Sequence, residues 1–213
     1  MQEYYQRRAQ EYEQIYGRDD PVRQGEQAAI AEAMKRVFTN RRVLEVACGT
    51  GFWTEIVAQV AQHILAIDSS SEMLTIARGK GLDAHKVEFR QGDAYALNSV
   101  AGRFDAGLAN FWFSHLPRAR IDEFLRGFHE RLGTGSIIFM ADNVYMPEIG
   151  GELISRPNCQ DTFKLRQLSD GSRYEVLKNY YEADQLHYIF SPRANNLKVH
   201  VGKCFWWLSY VVV

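Results

Sequence analysis

A turn containing two glycines is the strongest chemical signal in the sequence. Residues 43–48 run from an apolar, β-branched stretch into Gly49 and Gly51, and residues 52–60 then follow a helical pattern. Glycines at a junction of strand, turn and helix let a ligand approach the backbone, where the amide groups that begin the helix point outward. The segment therefore predicts a cofactor site.

The turn departs from the pattern of proteins that bind nicotinamide dinucleotides. In that pattern a third glycine follows the pair by three residues, where this sequence has Thr54, and a glycine leads the turn, where it has Ala47. The acidic Glu45 inside the strand is also foreign to the pattern. A nicotinamide-dependent oxidoreductase is therefore the less favoured alternative.

The arrangement Glu-x-Ala-x-Gly-x-Gly resembles motif I of the class I methyltransferases that use S-adenosyl-L-methionine (SAM). In those families the turn binds the amino-acid part of SAM, and S-adenosyl-L-homocysteine (SAH) is the product. The resemblance implies that the cofactor site contains the motif I residues Glu45, Ala47, Gly49, Thr50, Gly51 and Trp53.

Two acidic residues follow later predicted strands at the spacing that such a site requires. Asp68 ends an apolar run about 23 residues after Glu45, where a carboxylate accepts two hydrogen bonds from a ribose diol. Asp93 follows the third run and fits the family position that accepts a hydrogen bond from the adenine amino group. The resemblance further assigns to the cofactor site Ser69, Met73, Ala94 and Asn110.

The N-terminal segment, residues 3–16, is rich in tyrosine. The near-helical spacing of Tyr5, Tyr12 and Tyr16 favours an amphipathic helix packed on the domain. The segment also resembles the opening of methyltransferases in which this helix is a lid over SAM. In that case Tyr5 and Tyr12 bind the SAM carboxylate together with Arg23, since a guanidinium offers two parallel hydrogen bonds. Both interpretations stay open.

The end of the fourth predicted strand carries the candidate acceptor site, because ligands of open α/β sheets bind outside the carboxyl ends of the strands. Residues 111–113 are Phe-Trp-Phe, which we expect to form one apolar wall, with Phe111 and Trp112 binding the substrate. His115 is the candidate general base, since imidazole suits proton removal near neutrality. The alternative is that His115 packs the structure or positions the substrate.

Asp142 and Asn143, at the end of the fifth predicted strand, resemble the pair that holds magnesium in catechol-type O-methyltransferases. Oxygen ligands suit magnesium, but the third ligand position is here the neutral Asn110. We therefore expect no metal, and we expect Asp142 and Asn143 either to cap the strand end or, as we assign Asn143, to bind the substrate.

Composition limits the partners of the protein. The net charge of −1 does not indicate the basic stripe that nucleic-acid binding usually requires, so we expect no nucleic-acid partner. No apolar stretch is long enough to cross a bilayer and the start of the chain lacks a signal peptide core, so we expect a cytoplasmic protein without a membrane partner. The three cysteines, odd in number and widely spaced, indicate neither a disulfide framework nor a zinc site.

The order of the predicted elements positions the candidate groups on an α/β fold. Strands and helices alternate from residue 42 to residue 141, which favours a doubly wound parallel sheet covered on both faces. The predicted strands of this core cover residues 42–47, 63–67, 85–90, 104–109 and 135–141, and the predicted helices cover residues 3–16, 22–38, 52–60, 71–79 and 121–132.

The C-terminal third has a different pattern. Residues 162–168 and 173–177 alternate around a turn and predict an added β-hairpin, followed by a helix over residues 181–190 and two closing strands over residues 197–204 and 205–213. A reversed last strand resembles the seven-stranded class I methyltransferase sheet.

We expect one domain over residues 1–213, with a helical lid in residues 1–40, the cofactor core in residues 41–142 and the substrate side in residues 143–213. The expected function is methylation of a small molecule on oxygen or nitrogen by a monomer or homodimer. Binding of SAM without methyl transfer is the alternative.

Overall fold

The computed structural model describes residues 13, 19–147, 149, 151–168 and 170–213. Within these residues the strands are Arg42–Val46 (β1), His63–Asp68 (β2), Val87–Gln91 (β3), Ala106–Asn110 (β4), Ile137–Asn143 (β5), Leu153–Ser155 (β6), Thr162–Gln167 (β7), Arg173–Leu177 (β8), Ala194–Val201 (β9) and Phe205–Val212 (β10). The helices are Pro21–Phe38 (α1), Phe52–Ala58 (α2), Ser71–Gly79 (α3), Ile121–Leu132 (α4) and Ala183–Phe190 (α5).

Seven strands form a central sheet in the order β3-β2-β1-β4-β5-β10-β9. The first five strands pair in parallel, whereas β10 runs antiparallel to both β5 and β9. The expected seven-stranded, mostly parallel sheet with a reversed last strand is confirmed. Because β1 and β4 are neighbours, the chain crosses over between them, and ligands of open α/β sheets bind at such a point.

Helices cover both faces of this sheet. Leu44 and Val46 of β1 belong to a core cluster with α4 and α5, whereas Val43 belongs to a second cluster with α1, α2 and α3. A sheet buried on both faces needs strands that are almost continuously apolar, which explains the apolar runs of the sequence. No helix in the described part of the chain combines the length and apolarity that a membrane span requires.

An added antiparallel sheet of three strands, in the order β6-β7-β8, lies between β5 and α5 in the chain. The hairpin of β7 and β8 was predicted, but β6 was missed because three residues are too few for a recognisable alternation. The segment directly after β8 contacts β5 through Lys178 and the segment that follows β4 through Asn179.

Several predicted boundaries move for local reasons. The first strand ends one residue early, at Val46, because Ala47 has a positive φ of 53°. The helix predicted over residues 181–190 begins at Ala183, since Glu182 and Gln185 form a capping box. The predicted strand 197–204 is β9, Ala194–Val201. The helix predicted over residues 3–16 lies outside the described residues.

A carboxylate of α1 fixes the turn between β9 and β10. Glu26 accepts hydrogen bonds from the backbone amides of Lys203, Cys204 and Phe205 at 2.7–3.0 Å. A Cβ at Gly202 would lie 2.5 Å from the Glu26 carboxylate, so a larger residue there would displace this carboxylate from the turn. The contact places Phe205 against α1, next to the candidate cofactor site.

Candidate functional site

The turn after β1 has the backbone geometry of a ligand-binding turn. Ala47, Gly49 and Gly51 have φ values of 53°, 56° and 76°, so the motif places three residues in the left-handed region that favours glycine. A Cβ at Gly49 would meet nothing within 4 Å, which leaves open space above the turn. At Gly51 a Cβ would lie 3.1 Å from the Phe89 ring, so this glycine allows close packing on β3.

Asp68 at the end of β2 ties this turn to the sheet. Its Oδ2 accepts a hydrogen bond from the Gly49 amide at 2.8 Å and its Oδ1 accepts one from the Ser70 amide at 2.9 Å. Burial raises the pKa of the Asp68 carboxyl, and the hydrogen bonds from backbone amides oppose that rise. The structure therefore brings the predicted ribose-binding carboxylate directly against the predicted turn.

Glu45 is a buried carboxyl in β1, and its partner is a residue whose role the sequence reasoning missed. The Thr54 hydroxyl donates a hydrogen bond to Glu45 Oε2 at 2.7 Å. Burial raises the pKa of Glu45 to about 8. Thr54, at the position where the dinucleotide pattern has its third glycine, thus supports the Glu45 carboxyl by a hydrogen bond. A cation that binds beside Glu45 would favour the charged form of this carboxyl.

The remaining predicted cofactor residues lie at the ends of β2 and β3. Ser69 is exposed, while Met73 in α3 is buried and its amide donates a hydrogen bond to the Ser70 hydroxyl. Asp93 is exposed and accepts a hydrogen bond from the Tyr95 amide at 2.9 Å, and Ala94 beside it is buried. Since β2 and β3 are adjacent, these residues share one edge with Asp68.

A stack of aromatic rings joins the turn after β1 to the end of β4. The Trp53 and Phe111 rings stack with centroids 5.6 Å apart, and Phe111 meets the Phe205 ring edge-on at 5.4 Å. The buried Arg23 guanidinium lies 4.5 Å from the Phe205 ring centroid. Arg23 is thus close to these aromatics, whereas its predicted partners Tyr5 and Tyr12 lie outside the described residues.

The expectation that residues 111–113 form one apolar wall is wrong. Phe111 has a φ of 55°, which turns the chain, and its ring packs in the cluster of α1, α2 and α3. Trp112 packs against Tyr95 and Phe124 on the other face of the sheet. Phe113 is fully buried among the core rings. Phe111 and Trp112 are half-buried on opposite faces, so any contacts with substrate would be separate.

Asn110 ends β4 and is almost completely buried. Its Nδ2 donates a weak hydrogen bond to Met34 Sδ at 3.1 Å. Within the described residues its Oδ1 has no hydrogen-bond partner, and the same holds for the buried Thr50 hydroxyl. Buried polar atoms without a partner cost free energy, which is typical of positions where a ligand completes the hydrogen bonds.

His115 lies in a short 3₁₀ turn after β4 and is buried. Its Nδ1 is 2.8 Å from the Leu177 carbonyl, which can only accept, so Nδ1 carries the proton. Burial and the neighbouring Lys178 charge lower the pKa of His115 to about 3. The imidazole is therefore neutral near pH 7 and a much weaker base than an ordinary histidine.

Asp142, the first candidate magnesium ligand, is occupied by protein donors. Its Oδ1 accepts hydrogen bonds from Lys178 Nζ at 3.0 Å and from the amide and side chain of Asn143, and its Oδ2 accepts one from the Ser114 amide at 2.8 Å. Lys178 also donates to the Ser114 hydroxyl at 2.6 Å. Asn143 therefore contacts Asp142 rather than extending into a ligand set. Among the described residues no group of three His, Cys, Asp or Glu side chains is arranged around a common point.

Comparisons with known proteins agree with this geometry. The model of the methyltransferase domain family matches residues 43–135. A protein-L-isoaspartate O-methyltransferase of Bradyrhizobium sp. is 29% identical over 85 residues, which are 39% of this chain and 40% of that protein. A demethylmenaquinone methyltransferase of Clavibacter sepedonicus is 34% identical over 146 residues, which are 67% of this chain and 58% of that protein. The matches span less than two thirds of either relative.

The likeness to a solved structure extends over nearly the whole chain. A structure described as a DhpI–SAM–HEP complex has a TM-score of 0.77 at 26% identity, covering 98% of this chain and 94% of that one. Its fold and SAM complex agree with the strand order and with the turn after β1 found here. Residues 43–135 match the methyltransferase domain family, and the chain as a whole has the class I SAM-dependent methyltransferase fold.

Proposed function

We propose that the protein transfers the methyl group of SAM to a small-molecule acceptor, on oxygen or nitrogen. The observation that carries the proposal is the contact between the left-handed turn and the acidic residue of β2. Asp68 accepts a hydrogen bond from the Gly49 amide at 2.8 Å. This contact holds the turn and Asp68 next to each other at one edge of the sheet. A ligand that contains both an amino acid and a ribose needs its two binding groups side by side in this way.

The residues of this edge fit SAM chemically. Glu45 is a buried carboxyl that could pair with the SAM amino group, and the lone pairs of Asp68 could accept hydrogen bonds from the ribose hydroxyls. Asp93 is the candidate acceptor of a hydrogen bond from the adenine amino group, and Arg23 is a candidate partner of the SAM carboxylate. SAM itself supplies an activated methyl group on a sulfonium.

The chain's own task in such a reaction is alignment and exclusion of water. The Trp53–Phe111 stack covers the region between the turn and β4 with apolar surface. His115 is neutral and hydrogen-bonded to Leu177, which favours a positioning role over proton removal. The acceptor proton would then pass to solvent or to a group of the acceptor.

The acceptor side supports a small substrate. The segment after β8 crosses the ends of β4 and β5, where Lys178 contacts Asp142 and Asn179 donates to the Leu116 carbonyl. This cover limits the space beyond the strands. The relatives act on different acceptors, since one is named for protein L-isoaspartate and another for demethylmenaquinone.

The deciding experiment measures SAH formation by the purified protein over a panel of small acceptors, an isoaspartyl peptide and a demethylmenaquinone analogue. We expect turnover with members of the small-molecule panel alone. Turnover confined to the peptide would contradict the small-molecule proposal. Calorimetric binding of SAH without turnover on any acceptor would instead favour a SAM-binding protein that transfers no methyl group.

A further inference from the structure

We propose that the methyl acceptor carries an oxyanion group, of the phosphate, phosphonate or carboxylate class, and that Lys164, Arg166 and Lys178 bind it. We call the side of the β7–β8 hairpin that carries these three residues the basic face of the added sheet. The inference rests on the proposed acceptor-methylating function and adds the chemical class of the acceptor.

The register of the added sheet places the three cations on one face. Lys164 and Arg166 are two residues apart on β7, so their side chains leave the same side of the strand. Lys178 follows β8, and its amide donates to the carbonyl of Thr162, which shares that side of β7. Arg173 lies opposite Gln167 and therefore points to the other face.

Two tyrosines lie among these cations. Lys164 Nζ is 5.0 Å from the Tyr145 ring centroid and 6.0 Å from that of Tyr180, and Lys178 Nζ is also 6.0 Å from that of Tyr180. The two rings meet edge-on at 5.1 Å. Arg166 is close enough for its charge to affect His115, Lys164 and Tyr180. The basic face thus combines cations with phenol hydroxyls, which are the donors that recognise oxyanions.

Positive charge on this face is not balanced within the described residues. Lys178 pairs with Asp142 at 3.0 Å, whereas no described carboxylate lies within ion-pair distance of Lys164 or Arg166. Lys164 is fully buried and donates to the backbone carbonyls of Gly151 at 2.6 Å and Ile149 at 3.5 Å. These carbonyls account for two of its three donors.

A buried cation costs free energy unless it is paired, and the described residues offer Lys164 no carboxylate, so its retention needs a reason. Burial, together with the charges of Arg166 and Lys178, lowers the pKa of Lys164. An anion bound between these groups would remove the repulsion and accept the remaining donors. Unfavourable charge of this kind concentrates at functional sites because a ligand relieves it there.

The basic face also lies where an acceptor has to bind. Through Asp142 and Ser114, Lys178 reaches the carboxyl ends of β5 and β4. Of these two strands, β4 is the direct neighbour of β1, whose turn we assign to SAM. An oxyanion held by Arg166 and the lysines would therefore anchor one end of the acceptor while its other end faces the cofactor edge.

The first test uses inorganic phosphate as the probe and the full chain saturated with SAH. Phosphate is titrated by calorimetry at constant ionic strength, with chloride as the compensating anion. We expect Arg166→Gln to weaken phosphate binding by about tenfold or more, because a charge-assisted double hydrogen bond is lost, and Arg166→Lys to weaken it less. The matched control Arg173→Gln, at an exposed arginine on the opposite face, should bind phosphate like the wild type. Unchanged affinity in Arg166→Gln would overturn the proposal.

The second test compares acceptors in pairs, each a neutral alcohol and its phosphate ester or carboxylic acid counterpart. We expect methylation of the anionic members, and in Arg166→Gln a rise of about tenfold or more in KM with a smaller change in kcat. Turnover of neutral members alone, with the same KM in Arg166→Gln, would refute the oxyanion class and leave the small-molecule function intact. If the anionic members are inert while isoaspartyl peptide is methylated, the small-molecule function itself fails.

Discussion

Lys178 Nζ lies 3.0 Å from Asp142 Oδ1, and both side chains are buried. Asp142 belongs to β5 of the central sheet and Lys178 directly follows β8 of the added sheet, so the ion pair joins the two sheets at the carboxyl end of β5. Burial alone would raise the pKa of the Asp142 carboxyl, but the Lys178 charge and the amide hydrogen bonds hold it below its usual value.

Removing one partner of this pair should destabilise the fold. Lys178→Met leaves Asp142 buried without its cation, and we expect a loss of about 3 to 5 kcal/mol in the free energy of unfolding, measured with urea. The double variant Lys178→Met/Asp142→Leu should recover part of that loss. Lys198→Met, at an exposed lysine of β9, is the control and should change the free energy by less than about 0.5 kcal/mol. A Lys178→Met protein as stable as the wild type would mean that the pair contributes nothing.

Glu45 should make stability depend on pH. Its pKa is raised from 4.5 to about 8, so between these values the folded protein keeps a proton that the unfolded chain has lost. Its contribution to stability is therefore full below the unfolded pKa and is lost as pH rises through about 8, at up to about 1.4 kcal/mol per pH unit. Glu45→Gln should remove this fall in urea titrations between pH 5 and 8, whereas Glu130→Gln at an exposed site should keep it. If the free energy of unfolding changed with pH in the same way in the wild type and in Glu45→Gln, a raised pKa of the Glu45 carboxyl would be ruled out.

Asp68 should control affinity for the cofactor. Asp68→Ala removes the acceptor of the Gly49 and Ser70 amides and the proposed ribose contacts, so SAH binding should weaken by about 2 kcal/mol, or roughly thirtyfold, in calorimetry. Asp68→Asn keeps one acceptor and should lie between. Asp83→Ala removes an exposed aspartate that also accepts a backbone amide, and it should leave affinity unchanged. If all three variants bound SAH with the affinity of the wild type, the assigned site would be refuted.

Replacement of His115 should have a mild kinetic effect. With a pKa of about 3 the imidazole is a poor base near neutrality, so His115→Ala should lower turnover by less than about tenfold, compared with ~10²-fold for a lost general base. The pH–rate profile of the wild type should show no limb near pH 6.5. SAH affinity should hardly change, since His115 lies beyond the cofactor strands. A large loss of turnover in His115→Ala, together with a limb near pH 6.5 in the wild-type pH–rate profile, would show that His115 is the general base.

Methylation should survive removal of divalent metals. Both oxygens of Asp142 already accept hydrogen bonds from Lys178, Asn143 and Ser114, and Asn110 is neutral, so a magnesium ion would have to displace several donors. Initial rates measured before and after treatment with a chelator should agree, and added magnesium should not raise them. Magnesium-dependent recovery after chelation would contradict this expectation.

The central fold and the left-handed turn after β1 could be predicted from the sequence because both depend on local patterns. Alternating apolar runs and turns define β1 to β5, and the left-handed turn needs Gly49 and Gly51 within a few residues of each other. The spacing of Glu45 and Asp68 follows from the length of one strand–helix–strand unit. The role of Thr54 could also have been inferred, since it lies in the first turn of α2, only nine residues after Glu45.

The acceptor side was decided by tertiary structure. Adjacent residues Phe111, Trp112 and Phe113 pack in different places because the positive φ of Phe111 and the following 3₁₀ turn redirect the chain. The strand β6 is too short to leave a pattern. A sequence shows residue types and their order, and these were enough to predict the turn after β1 and the acidic residue Asp68 beside it. Which charged side chains from distant positions are buried together depends instead on how the added sheet packs on the central sheet. That docking pairs Lys178 with Asp142 across 36 residues and gathers Lys164 and Arg166 beside them, which no local spacing encodes.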